Sequence, residues 1–147
     1  MAFLTDKDYK VVIGEKQMGI ITDADPEKIA HAEAEAIEEL SSYLRPKYDV
    51  ERIFSATVDG TADHRNRLIV MYAVDCALYH LFSASSQRMG MEIRKERYER
   101  AVKWLEGVQA GKIVPDLPLA TTTDESGHEV QNLGILIAHQ PPLRYNW

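Results

Sequence analysis

Between Leu68 and Phe82, thirteen of fifteen residues are apolar, and a helix that is hydrophobic all round must be covered on nearly every side. At about 1.5 Å per residue the stretch reaches only about 22 Å, whereas a membrane span needs about 20 apolar residues. It also contains Asp75 and His80. It therefore reads as a buried helix, running from about His64 to Phe82. The whole chain has 147 residues, the size of one domain with one core. Two or three neighbouring helices can hardly enclose such a helix, so part of its surface is expected to meet another subunit. The candidate self-association residues are Met71, Tyr72, Asp75, Leu78, Tyr79 and Phe82.

The helices around it announce themselves by their caps. Thr5 with Asp8 has the spacing of a capping box and opens a short first helix ending near Gly14. Asp25 as N-cap, Pro26 at the first helical position and Glu27 in the first turn start a long helix that runs to about Leu44. Ile29, Ala32, Ala36, Ile37, Leu40, Tyr43 and Leu44 form its apolar stripe, and Pro46 helps to stop it. Residues 49–63 suit a loop or a strand-like crossing. A third long helix is expected over Met91 to Ala110, halted by Gly111 and Pro115. Glu96 with Arg100 and Glu99 with Lys103 stand in the favourable acid-first order on it.

Beyond Pro115 the helical period is lost. Leu133, Ile135 and Ile137 alternate as in a strand, and Pro141 and Pro142 stiffen a segment that carries Tyr145 and Trp147. The expected architecture is mainly α: a small bundle of three long helices plus a short N-terminal helix, with an extended or β C-terminal arm. Residues 1–117 would form the helical domain, and 118–147 an arm that is not an independent domain.

Charge and residue chemistry narrow the function. A net charge of -6 opposes a main task of gripping nucleic acid, which rests on phosphate neutralisation by Lys and Arg. Arg88, Arg94, Lys95, Arg97, Arg100, Lys103 and Lys112 make the third helix locally basic, but Glu92, Glu96, Glu99 and Glu106 interleave with them. The single cysteine, Cys76, rules out an internal disulfide and fits a reducing compartment. The charged first turns lack a signal-peptide core. No Ser, Cys or Lys sits in an activating motif. Glu35 and Glu38 share a helix face that could hold a metal, but the partner motif is missing; the only Glu-x-x-His, Glu125 to His128, lies in a Ser-Gly turn. Asp75 and His80 diverge by about 140° around the helix and make no joint site. No enzyme, metal or cofactor is expected.

In this order and spacing the elements resemble the Mu-like head-to-tail adaptor (connector) family of phage and prophage virion proteins, over roughly residues 9–118. The resemblance rests on Tyr9 and the Gly14 turn, on Ile20-Ile21-Thr22-Asp23, and on Ala36 to Tyr48 with its Tyr43-Leu44 and Lys47-Tyr48 end. Ala73, Asp75 and Tyr79 in the apolar helix, Glu96-Arg97-Tyr98, and Leu105 to Gly111 before Pro115 complete it. Asp49-Val50 stands where the family usually has Pro-Leu. The resemblance implies a structural protein made in the bacterial cytoplasm and placed at the virion's head-tail junction. There it would form a ring between portal and tail or neck protein, of about a dozen subunits as in related connectors. DNA would only pass through the channel, and no membrane is involved. The arm would dock on the portal or a neighbour through Leu133, Ile135, Ile137, Arg144, Tyr145 and Trp147. Two rival classes are a DNA-packaging or regulatory accessory module using the basic helix, and an all-helical magnesium-dependent nucleotide hydrolase using the acidic one.

Overall fold

The computed structural model describes residues 2–86, 90–123, 126–127 and 129–131. Along the chain these form α1 (Asp6–Lys10), α2 (Glu15–Thr22), α3 (Pro26–Leu44), α4 (Val50–Ser55), β1 (Val58–Asp59), β2 (Ala62–Asp63), α5 (Arg67–Ala84), α6 (Met91–Gln109), β3 (Thr121–Thr123) and β4 (Glu129–Gln131). The expected bundle with a single short N-terminal helix is corrected by this order: the described residues hold six helices and two antiparallel two-stranded hairpins.

The three long helices stand close to where their caps and apolar patterns placed them. Asp25 caps α3 by accepting from the Glu27 N–H at 2.9 Å, and Asn66 caps α5 by accepting from Leu68 and Ile69. The additions are elements with weaker signals. α2 contains Gly19 and the β-branched run Ile20-Ile21-Thr22, poor helix material on propensity alone. Packing holds it, with Ile21 and Thr22 buried. It ends in two consecutive left-handed residues, Asp23 (φ 53°) and Ala24 (φ 57°), which turn the chain sharply into α3. α4 is a single short turn capped by Asp49, whose carboxylate accepts from the Arg52 N–H at 3.0 Å. A hairpin, β1–β2, follows it inside the segment read as a loop or crossing.

α5 is the central post, packed against both α3 and α6. By length and composition alone it could cross a membrane, yet 61% of it is buried within this one chain. Leu78, Ile69, Val74 and Cys76 meet Leu40, Leu44, Leu105 and Val108 in a single core. After α6 the chain turns at Gly111 (φ 75°) and runs back along residues 47–49. Asp49 N–H donates to the Pro118 carbonyl at 2.9 Å, and Ala120 N–H to that of Lys47 at 3.0 Å. Only then does the chain enter β3–β4, which among the described residues packs on no helix.

Candidate interaction site

Asp75 is 1% exposed and sits on the α5 face turned to α6. A buried carboxylate is costly unless paired, and α6 supplies the partners. Arg97 Nε donates to Asp75 Oδ1 at 2.7 Å, and Arg100 Nη2 lies 3.5 Å from Oδ2. Arg100 thus turns inward to Asp75, while on the outer side of α6 the ion pair is Lys95 with Glu99 at 3.7 Å. Asp75 Oδ2 and Arg94 Nη1 are buried without a hydrogen-bond partner among the described residues. Arg94 lies 6.0 Å from the Phe82 ring, and burial together with the charge of Arg97 holds its guanidinium below the usual arginine range.

His80 points elsewhere, as its separation from Asp75 along the helix requires. Its Nε2 is 3.0 Å from Glu39 Oε2, while the Tyr98 hydroxyl donates to Glu39 Oε1 at 2.5 Å. Tyr79 stacks on Tyr98 with centroids 4.1 Å apart. Burial first, and Glu39 second, push the Tyr98 phenol up. This cluster ties α3, α5 and α6 together through side chains that all find partners inside the chain.

These contacts locate the expected self-association residues. Tyr72 packs on Trp104 with centroids 4.9 Å apart, Asp75 is taken by α6, and Leu78 and Phe82 are enclosed in the core. Met71 and Tyr79 keep part of their surface exposed. The expected docking residues Leu133, Ile135, Ile137, Arg144, Tyr145 and Trp147 lie outside the described residues, as do Arg88, Glu125 and His128.

Among the accessible cavities, two lie beside α5 and α6. One groove, of about 340 Å³, is lined by Val11, Val12, Arg67, Val70, Met71 and Arg97, and Val11 is 87% exposed there. A second lies beside Tyr72, Arg100, Lys103, Trp104, Lys112 and Ile113. Leu68, 38% exposed, stands on the same helical stripe as Tyr72 and Asp75. The sequence pattern hid this surface because Val11 and Trp104 come from elements remote along the chain.

A third group was also invisible to local pattern. Arg65 is 5% exposed and clamps the N-terminus to the β1–β2 hairpin. Its guanidinium donates to the Phe3 carbonyl at 2.7 Å, to both Asp8 oxygens at 2.7 and 3.2 Å, and to both Asp63 oxygens at 2.9 Å. The Arg65 hydrogen bonds hold the Asp63 carboxyl well below the usual carboxylate range. For Asp8, burial pushes upward, but Arg65 and the Thr5 N–H and hydroxyl outweigh it and the carboxyl is lowered.

Chemistry of the catalytic kind does not assemble around these groups. Among the described residues no three His, Cys, Asp or Glu side chains group to hold a metal ion. Glu35 pairs with His31 at 3.2 Å and Glu38 with Arg45 at 2.9 Å. Burial pushes the Cys76 thiol up, away from the reactive thiolate.

The family model described as Bacteriophage Mu, Gp36 matches residues 3–132, and the chain belongs to that family. Neither a curated protein nor a solved structure matches the chain. Membership makes it a structural protein of a Mu-like tailed phage or prophage and not an enzyme. It is made in the bacterial cytoplasm, associates with the virion, and meets other head and tail components.

Proposed function

We propose that this member of the Mu Gp36 family forms a ring between the portal and the tail or neck at the head-tail junction. The observation that carries the proposal is the family match over residues 3–132. The fold supports it in a second way. The apolar helix is largely satisfied within one chain, which leaves a stable body that can exist before assembly, with Met71, Tyr79 and the grooves beside α5 and α6 free for neighbours. We take a ring of about a dozen copies, closed by a repeated heterologous contact, as the assembly. The net charge of -6 suits a channel that lets DNA pass without holding it.

Residues 118–147 act in this reading as the arm, docking on the portal or a neighbour through Leu133, Ile135 and Ile137 as an added strand and through Arg144, Tyr145 and Trp147 as anchors. The first three residues of this arm, 118–120, run along 47–49, so a truncation that keeps those contacts ends at Ala120. Native mass across a concentration series tests this, for the full chain and for a chain ending at Ala120. A closed oligomer that weakens without the arm is expected; a monomer at every concentration for both would leave only assembly on a portal template and would count against self-association.

A further inference from the structure

We infer that the cavity between α1, α2 and α3 is a socket for the end of a neighbouring copy's arm, Leu143 to Trp147. The inference deepens the ring reading above by naming where the arm docks, and it rests on that reading.

Tyr9, Ile13, Met18, Pro26 and Ile29 give this cavity of about 290 Å³ an apolar lining. Small-molecule sites run from about 300 to 1,000 Å³, so its size suits one or two large side chains better than a cofactor. Gly19 forms one wall, in the middle of α2, where a glycine weakens a helix. Packing does not require it: a Cβ at this position would meet no atom within 4 Å. Its missing side chain leaves the cavity open. The mouth carries negative charge that the chain itself does not neutralise. Asp6 is exposed and has no ion pair among the described residues, while Lys10, the one cation in the lining, is taken by Glu15 at 3.5 Å. Behind Tyr9, Glu33 accepts from the phenol at 2.8 Å and is in no ion pair among the described residues. Burial first, then Asp6 and Asp8, push the Glu33 carboxyl up against the pull of that hydrogen bond.

The arm has the complementary chemistry. Residues 132–147 contain no Asp or Glu, and their one arginine, Arg144, stands among Leu143, Tyr145 and Trp147. In the other cavities the carboxylates are taken or opposed. Asp8 is held by Arg65, Glu106 stands with Lys103 and Lys112, Asp116 with Arg52, and Asp23 and Glu35 are paired with Lys28 and His31. Asp6 thus offers the carboxylate that an apolar segment with one cation fits. The arm leaves the body beside residues 47–49, just beyond the C-terminal end of α3, whereas Pro26 and Ile29 place the socket at the first turns of that helix. The 19 residues of α3 separate the two by about 28 Å at about 1.5 Å per residue. Residues 132–147, extended at about 3.3 Å each, reach about 50 Å, enough to cross to the next copy. Arm and socket are unlike surfaces at opposite ends of the body, so their contact repeats from copy to copy, the kind that closes rings.

Substitutions in the full chain test this. Gly19→Leu fills the socket from a position with open space beside it, and Tyr145→Ala with Trp147→Ala removes the plug. Native mass is read for each variant and for their equimolar mixture, at a concentration where the unsubstituted chain assembles. Each variant alone is expected to stay monomeric with an unfolding midpoint unchanged or raised, and the mixture to give a one-to-one dimer and nothing larger, because one intact arm and one intact socket remain. Should Gly19→Leu lower the midpoint, a charge exchange decides. Asp6→Arg or Arg144→Asp alone is expected to weaken assembly about tenfold or more, since like charges then meet or the attraction is lost, and the two together to restore it. A Gly19→Leu chain that assembles like the unsubstituted one, or a mixture that stays monomeric, would overturn the socket and leave the ring reading standing. An unsubstituted chain that stays monomeric at every concentration would overturn both.

Discussion

The chain contains two hairpins of nearly the same size whose circumstances differ. β1–β2 and β3–β4 are both two-stranded, antiparallel and largely exposed, and an isolated two-stranded hairpin is marginal in water. The first is pinned: Asp63 at its end binds Arg65, which binds Asp8 and the Phe3 carbonyl in turn. The second, Thr121–Thr123 with Glu129–Gln131, rests on no helix among the described residues. What separates them is one buried guanidinium. The first hairpin belongs to the body, and the second lies on the way to the segment we propose as the docking arm.

Removing the pin is the strongest way to break this contrast. Arg65→Ala takes the buried guanidinium from two carboxylates and the Phe3 carbonyl, leaving Asp63 only Arg67 and the N–H of residue 65, and Asp8 only Thr5, and breaking a buried ion pair from one side costs about 3 to 5 kcal/mol. Urea unfolding should show that loss, and a loss near zero would mean the clamp is dispensable. Leu40→Ala, fully buried between the long helices, should cost about 2 to 5 kcal/mol as a core cavity.

Acid offers a titration of the same clamp. Asp8 and Asp63 have folded-state pKa values lowered below the ordinary carboxylate value, which is about 3.9 for an unfolded Asp. Their contribution is therefore fully present above that value and is lost as pH falls through the lower folded values. Stability followed by denaturant midpoint should decline through this acid window, and Arg65→Ala should flatten the decline. An equal slope in both proteins would assign acid sensitivity to other groups.

At the other hairpin the expected effects on folding are small. Val130→Thr, at a position 46% exposed, should change stability by no more than about 0.5 kcal/mol, as surface substitutions usually do. Deleting Trp147 should likewise spare the unfolding midpoint of the body while reducing incorporation into particles. A large fall in midpoint from either change would erase the distinction between body and arm.

This division was partly legible beforehand. α3 could be read because Asp25-Pro26-Glu27 states its start and the apolar stripe states its length. α5 could be read because so apolar a run allows little else, and Asp75 and His80 do find separate partners, Arg97 and Glu39. α2 could not, since Gly19 and three β-branched residues speak against a helix that only tertiary packing sustains. α1, α2, α3 and α6 all contact α5, and Tyr72, Asp75, Leu78 and Phe82 are buried within the chain; the apolar run alone does not tell which of its faces these helices take. The Arg65 clamp joins residues 57 apart in the chain, a pairing that local periodicity does not encode. The grooves are equally non-local: one is made by the end of α1 with α5 and Arg97, the other by Tyr72 with α6 and residues 110–113.

The most direct measurement of the central claim is an electron-microscopy reconstruction of the neck in particles of the phage that encodes this chain. A closed ring of this six-helix body between portal and tail, each copy touching the next, is the result expected. A reconstruction that shows the body elsewhere in the virion, or as isolated copies without contact between neighbours, would contradict it.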